Sequence, residues 1–230
     1  MKFGVTSPFE CSYLPGQKER LLVFVGHEDK NMPEQYESML GNGFRRSGEQ
    51  IYRPHCINCN ACESLRIPVL WFKPSKSQKR ILSKNKHWHV QISREDKPDY
   101  FSLYEKYINE RHQDGGMFPP NKEQYEGFLF SSWASPLFIE FYDEDKLIAI
   151  AVTDDLPNCL SALYTFFDPD YEDYSLGTFA ILRQIELAIE LKKPFLYLGY
   201  QIDDCKKMNY KQKFLPNERF SDQSWQLFKK

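Results

Sequence analysis

Three thiols stand at Cys56, Cys59 and Cys62, in the run Cys56-Ile57-Asn58-Cys59-Asn60-Ala61-Cys62. A C-x-x-C-x-x-C spacing brings three soft donors within reach of one centre, which is the chemistry of a metal or cluster site. The set is incomplete by itself. The bacterial ferredoxin run adds a Cys three residues on, followed by Pro, whereas Cys62 leads into Glu63-Ser64-Leu65-Arg66. A fourth ligand has to come from Cys11 or from a histidine such as His55. The same spacing suits three small buried thiols in a tight loop, since free Cys is among the most buried residue types.

Two further groupings can do chemistry. Arg45, Arg46, Arg53 and Arg66 crowd around the cysteine run. A guanidinium fork takes both oxygens of a carboxylate, so these are candidates for gripping an acidic substrate group. They can equally pair with Glu49 or Glu63. Farther along, Tyr200-Gln201-Ile202-Asp203-Asp204-Cys205 follows an apolar strand-like stretch. Strand ends in open sheets are common ligand locations. Asp203 and Asp204 can supply a base or hold an incoming amine, or they can be a solvated turn. Cys205 has no histidine near it in sequence and reads as structural.

The elements that must position these groups follow from pattern. Residues 21–25 read as a strand and 33–40 as a short helix, with Pro33 at a tolerated early position. Residues 44–47 and 50–53 read as a hairpin around Gly48. Strands are expected at 64–72 and 88–92, with a basic helix at 75–86 between them. The polar stretch Arg94-Glu95-Asp96-Lys97-Pro98 suggests a domain boundary, giving residues 1–94 and 95–230. In the second half, helices at 99–112 and 122–130 precede strands at 138–142, 147–153 and 159–167. A helix at 177–191 and a strand at 195–200 follow. Ser175 stands where an N-cap is expected for that helix.

At 230 residues, 41% hydrophobic and 16% aromatic, the chain can bury a sizeable core. It contains no apolar run near the ~20 residues of a membrane span and opens on no apolar leader. Six cysteines in a chain of this size do not make a disulfide scaffold. A reducing cytosol is the expected compartment. Net charge is only -2, but its distribution is uneven. Residues 64–94 hold eight basic residues and no acidic one, while residues 139–173 hold ten acidic residues and only Lys146 basic. Such asymmetry gives one face that can meet a polyanion. Trp71, Phe72 and Trp88 are interleaved with the cations, and aromatics beside cations suit stacking on unpaired bases.

Several separate motifs resemble the aminoacyl-tRNA–protein transferases, in order and across residues 9–220. They are Cys11-Ser12-Tyr13-Leu14, Met39-Leu40-Gly41-Asn42-Gly43-Phe44-Arg45-Arg46-Ser47-Gly48, Tyr52-Arg53-Pro54-His55-Cys56 and Leu65-Arg66-Ile67-Pro68-Val69. Later come Tyr107-Ile108-Asn109-Glu110-Arg111-His112, Tyr174-Ser175-Leu176-Gly177, Tyr197-Leu198-Gly199-Tyr200 and Cys205-Lys206-Lys207-Met208-Asn209-Tyr210-Lys211. The match is to the short bacterial branch, whose members pass leucine to N-terminal Asp or Glu.

The resemblance implies an α+β or α/β fold, with an acetyltransferase-like C-terminal domain and a smaller strand-rich N-terminal one. It implies attack by a protein's α-amine on the ester of an aminoacyl-tRNA, marking the product for degradation. The ester is already activated, so positioning and oxyanion stabilisation matter more than strong acid–base chemistry. An α-amine with a pKa of ~7.7–8.0 has a useful neutral fraction unaided. On this reading Tyr200, Gln201, Asp203 and Asp204 are catalytic, and Arg45, Arg46, Arg53 and Arg66 meet the acidic N-terminus. Lys73, Lys76, Lys79, Arg80, Ser175, Gly177, Thr178, Lys206, Lys207 and Lys211 meet tRNA. The arginyl branch carries Cys-x-x-Cys near its N-terminus, where this chain has Leu14. No cofactor is then required, and an iron–sulfur or zinc site at Cys11, Cys56, Cys59 and Cys62 is disfavoured. The partners expected are an aminoacyl-tRNA and proteins with N-terminal Asp or Glu, with no membrane. Alternatives are an arginyl donor, an acyl-CoA-dependent N-acyltransferase of small molecules, or a metal-bearing RNA-binding module.

Overall fold

A computed structural model describes residues 1–26 and 31–229. Strands β1 (Phe3–Val5), β2 (Phe9–Glu10), β3 (Lys18–Glu19) and β4 (Leu21–Phe24) precede helix α1 (Met32–Leu40). Then come β5 (Arg45–Ser47), β6 (Gln50–Pro54), β7 (Glu63–Pro68), α2 (Lys76–Lys84) and β8 (His89–Ser93). The remainder is α3 (Pro98–Arg111), α4 (Lys122–Leu129), β9 (Pro136–Asp143), β10 (Lys146–Asp155), β11 (Cys159–Phe167), α5 (Leu176–Glu190), β12 (Phe195–Gln201), β13 (Asn217–Ser221) and β14 (Ser224–Phe228).

One eight-stranded sheet organises the molecule, in the order β14-β13-β7-β12-β11-β10-β9-β8. Alternate residues of its strands feed two cores, as the period of two requires. Ala149 and Ala151 of β10 face α5, while Ile150 and Val152 face α3 and α4. A second sheet, β1-β4-β6-β5, carries α1 and packs through Tyr36, Leu40, Phe44 and Ile51 onto Leu156, Cys159 and Tyr197. Gly48 makes its close approach possible. Its φ is +55°, and an added Cβ would lie 2.0 Å from the Gly127 carbonyl oxygen.

The boundary expected at residue 94 does not fall at a break in this architecture. β7 lies between β12 and β13, and β8 closes the other edge beside β9. Strands from the first 94 residues are thus hydrogen-bonded into the sheet built by the rest. Composition changes at residue 94, but the backbone ladder runs across that division.

The feature that matters for a site is the parallel pair β11–β12. It is registered only at Cys159↔Phe195, Leu160↔Leu196 and Ser161↔Tyr197, although both strands run on. Each strand has a bulge just beyond: β11 between Ala162 and Tyr164 against β10, and β12 between Tyr197 and Gly199 against β7. A bulge bends and twists its strand. Here the two bulges end the pairing and open a gap in the middle of the sheet. Gly199, with φ +83°, supplies the backbone shape at the bulge in β12.

Candidate active site

The Arg-Arg pair opening β5 shows how the strand period distributes charge. Successive side chains of a strand point oppositely, so Arg45 and Arg46 go to different places. Arg46 is fully buried and its Nε donates to Asp154 Oδ2 at 2.9 Å, while its Nη2 also donates to the Leu129 carbonyl at 2.9 Å. Its charge is spent on Asp154, which removes it from the candidates for substrate. Arg66 is likewise occupied. It donates to Glu218 at 2.6 Å and to the Tyr197 hydroxyl at 3.0 Å, between the rings of Phe195 and Trp225. Neither Glu49 nor Glu63 supplies these partners. Glu49 accepts from Ser132, and Glu63 pairs with Arg219. Arg53 is half-buried, lies over the Phe44 ring and donates to the Asn42 carbonyl.

Arg45 differs from all three. It is buried, yet no carboxylate lies within ion-pair distance of it among the described residues. Its Nη2 donates to the Ala162 carbonyl on β11, and its guanidinium lies 3.6–3.7 Å from where a Gly199 Cβ would stand. The side chain therefore occupies the gap between β11 and β12. Its Nη1 has no hydrogen-bond partner.

A pocket of about 250 Å³ opens beside this gap. Cys11, Cys56, Cys59 and Cys62 all line it, with Glu19, Arg53, His55, Ser64 and Tyr200. Burial first, then Cys11, Cys56 and Cys59, push the Cys62 thiol up to about 12. At neutral pH it stays a thiol, which makes it a poor nucleophile. Backbone N–H groups of Tyr13 and Leu14 donate to the Cys11 sulfur at 3.5 and 3.4 Å. Among the described residues, no group of three or more His, Cys, Asp or Glu side chains is arranged to hold a metal ion.

The residues expected to be catalytic fall into two environments. Tyr200 and Gln201 belong to β12 and are buried, with Tyr200 on the pocket wall. The Tyr200 hydroxyl donates to the carbonyls of Gly43 at 3.0 Å and Tyr52 at 3.3 Å. Burial holds it as a phenol, well above its ordinary pKa, so it cannot act as a base near neutral pH. Asp203 and Asp204 are in the exposed turn that follows. Arg219 Nη1 donates to Asp203 at 3.1 and 3.2 Å, and Gln201 Nε2 donates to the same carboxylate at 2.9 Å. Asp203 is thus a fastened turn residue, its carboxylate already engaged by Arg219 and Gln201.

The residues expected to meet tRNA also divide. Lys73, Lys76, Lys79 and Arg80 are exposed, and none has an ion-pair partner among the described residues. Ser75 caps α2 in a reciprocal box with Gln78, which fixes the helix that carries these cations. Of the interleaved aromatics only Trp71 is exposed, at 59%. Phe72 stacks on Phe214, and Trp88 is core against Tyr174 and Phe179. Ser175 does not cap α5: its φ is +55° and its side chain makes no cap hydrogen bond. Gly177 and Thr178 are half-buried in the first turn of α5. Lys206 and Lys207 are exposed, with Lys207 held by Asp114 at 2.7 Å.

Lys211 is not on that surface. It is 5% exposed, and its Nζ donates to the Tyr200 carbonyl at 2.7 Å. Burial, reinforced by Arg45, pulls its ammonium down to about 7. Sequence spacing puts a lysine in a basic run. Only the fold shows it turned inward against β12.

A family model described as "Arginine-tRNA-protein transferase, N terminus" matches residues 9–80, and its "C terminus" counterpart matches residues 99–221. The chain belongs to the arginine-tRNA–protein transferase family. A relative from Pseudoalteromonas atlantica named aspartate/glutamate leucyltransferase is 55% identical over 230 residues, covering 100% of this chain and 99% of that one. One of the same name from Aeromonas hydrophila is 52% identical over 98% of this chain and 94% of its own. A Vibrio campbellii protein, again of that name, is 48% identical over 98% of this chain and 97% of its own. Among solved structures, the C-terminal domain of a protein named as a lysylphosphatidylglycerol synthetase from Agrobacterium fabrum superposes with a TM-score of 0.53. That match has 11% identity and covers 96% of this chain and 82% of that one. It is a likeness of fold alone.

Proposed function

We propose that this transferase moves leucine from leucyl-tRNA onto the α-amine of proteins beginning with Asp or Glu. The observation that carries this is 55% identity to an aspartate/glutamate leucyltransferase, over 100% of this chain and 99% of that one. The fold supports it. A parallel strand pair that separates beyond a bulge, linked by a long helix, is how an acetyltransferase-like sheet makes room for an acyl donor and an amine. The acceptor peptide lies in the pocket beside Tyr200 with its first side chain toward Arg45 in the β11–β12 gap, the aminoacyl ester lies at the mouth of that gap, and the tRNA backbone runs along α2. The four thiols form a wall of that pocket, and transfer needs no metal. The setting is the cytoplasm, and the leucylated product is marked for degradation.

Catalysis in this arrangement is mostly positioning. The ester is activated before it arrives, and the amine is partly neutral near its own pKa. The test is transfer of labelled amino acid from Leu-, Phe- and Arg-charged tRNA to peptides beginning Asp, Glu, Lys and Ala. Label from Leu-tRNA alone, on the Asp and Glu peptides alone, is expected. Transfer from Arg-tRNA instead would identify an arginyl enzyme. Transfer independent of the peptide's first residue would remove the proposed acceptor class.

A further inference from the structure

The interior holds two cations that no carboxylate balances. Arg45 is 6% exposed and Lys211 is 5% exposed, and neither has an ion-pair partner among the described residues. They come from distant parts of the chain and converge on adjacent residues of β12. The Arg45 guanidinium lies against Gly199, and Lys211 Nζ lies on the carbonyl of Tyr200. Removing an unpaired charge from water is costly, so a fold retains one mainly where a partner arrives later. The same cost bears on Lys211, whose ammonium is pulled down to about 7 by burial and then by Arg45. The same β5 segment pairs Arg46 with Asp154, so a buried partner was available as a solution and was not used for Arg45. Free donors remain. Arg45 Nη1 is unpartnered, and the Lys211 ammonium spends hydrogen bonds only on the Tyr200 carbonyl and the Met208 sulfur.

Resting on the leucyl-transfer reading, we infer that Arg45 and Lys211 together bind the side-chain carboxylate of the acceptor's N-terminal Asp or Glu. One oxygen meets Arg45 Nη1 and the other meets the Lys211 ammonium. Donors remain on both cations for the two oxygens of a carboxylate: Arg45 Nη2 is held by Ala162 but Nη1 is unpartnered, and Lys211 keeps one N–H beyond those to Tyr200 and Met208. Both cations are held against Gly199 and Tyr200 of β12, and Tyr200 is also a wall of the pocket, so a short acidic side chain entering from the pocket side is the occupant placed nearest to them. Discrimination follows from desolvation. An Asn or Ala in this place leaves both cations uncompensated, which a site built for charge rejects strongly. Lys211 then gains a proton on binding when the pH is above its free pKa. The groups bearing on it are Arg45 from β5, Tyr200 from β12, and Cys205 and Met208 from the turn beyond. Tyr36 of α1 and Tyr52 of β6 stand near Arg45.

The experiment compares Asp- and Asn-starting peptides on wild type, Arg45→Gln and Lys211→Gln. Thermal melting confirms that each variant is folded. Wild type should prefer Asp, and either substitution should reduce kcat/KM for the Asp peptide by at least about 30-fold. The Asn peptide should change little, so the preference collapses, while the dissociation constant for Leu-tRNA stays the same. Calorimetry at about pH 8 in buffers of different ionisation enthalpy gives a second readout. Asp peptide should take up more protons than Asn peptide on wild type, and the excess should vanish in Lys211→Gln. If Arg45→Gln does not fold, Lys211→Gln decides alone. Folded variants that keep the wild-type preference would overturn the inference. So would an equal fall for both peptides, and so would a loss confined to tRNA affinity, which would assign the cations to a phosphate. Wild type that transfers no leucine to any acidic peptide would instead defeat the underlying activity.

Discussion

Arg46 and Lys211 make opposite demands on stability. Arg46 and Asp154 form a buried, multiply hydrogen-bonded pair, so removing one partner strands the other's charge. Asp154→Ala should cost about 3–5 kcal/mol in chemical denaturation. For Lys211 the balance reverses. The unfolded chain holds that proton to about 10.4, and the folded chain only to about 7. Between those values the unfolded state binds more protons, so the folded protein gains stability as pH rises through the window. The penalty is fully present below about pH 7. Lys211→Met should therefore raise stability at about pH 6 by on the order of 4–5 kcal/mol, less the lost hydrogen bond to Tyr200, and change little at about pH 10.5. Melting curves at the two pH values check this; a variant destabilised equally at both would contradict it. The residue types of the site were legible in the sequence, but their pairing was not. Arg45, Arg46, Arg53 and Arg66 look alike as letters. Asp154 and Glu218, which claim two of them, lie 108 and 152 residues away.

Among the elements, α2 is the one whose role can be separated from folding. Lys76, Lys79 and Arg80 lie on one face by their i, i+3, i+4 spacing and are exposed on a capped helix. Replacing Lys76 and Arg80 by Ala should reduce the slope of log affinity for tRNA against log salt by about 1–2 while leaving the melting temperature near wild type. An unchanged slope would take α2 off the tRNA path. Helices and central strands were readable because their apolar periods are long. The terminal hairpin of β13 and β14 was not, because its two-residue loop is Asp222-Gln223, with both φ values positive. Such a loop normally announces itself with Asn or Gly. Gln223→Gly should accordingly stabilise by about 0.5–1 kcal/mol, measured by denaturant midpoint at constant slope. The bulges in β11 and β12 were equally silent, since they depend on which strands become neighbours.

At the scale of the molecule, the family models fall on either side of residue 94, at 9–80 and 99–221, while the sheet crosses it. Sequence similarity and composition share that seam; the hydrogen-bond ladder does not. A fragment of residues 95–230 loses β7 from between β12 and β13, and β8 from the β9 edge. It should show no cooperative thermal transition. A sharp transition would mean that the second half is autonomous. The continuity also means that the proposed site, Arg45 from β5, Tyr200 from β12 and Lys211 beyond it, is held against one strand. The central claim is that this site joins leucine to an acidic N-terminus, and mass spectrometry of the acceptor tests it most directly. After incubation with leucyl-tRNA, an Asp-starting peptide should gain one leucine residue, located by fragmentation at its α-amine. The Ala-starting control should be unchanged. An unmodified Asp peptide, or leucine found on a lysine side chain, would contradict the account.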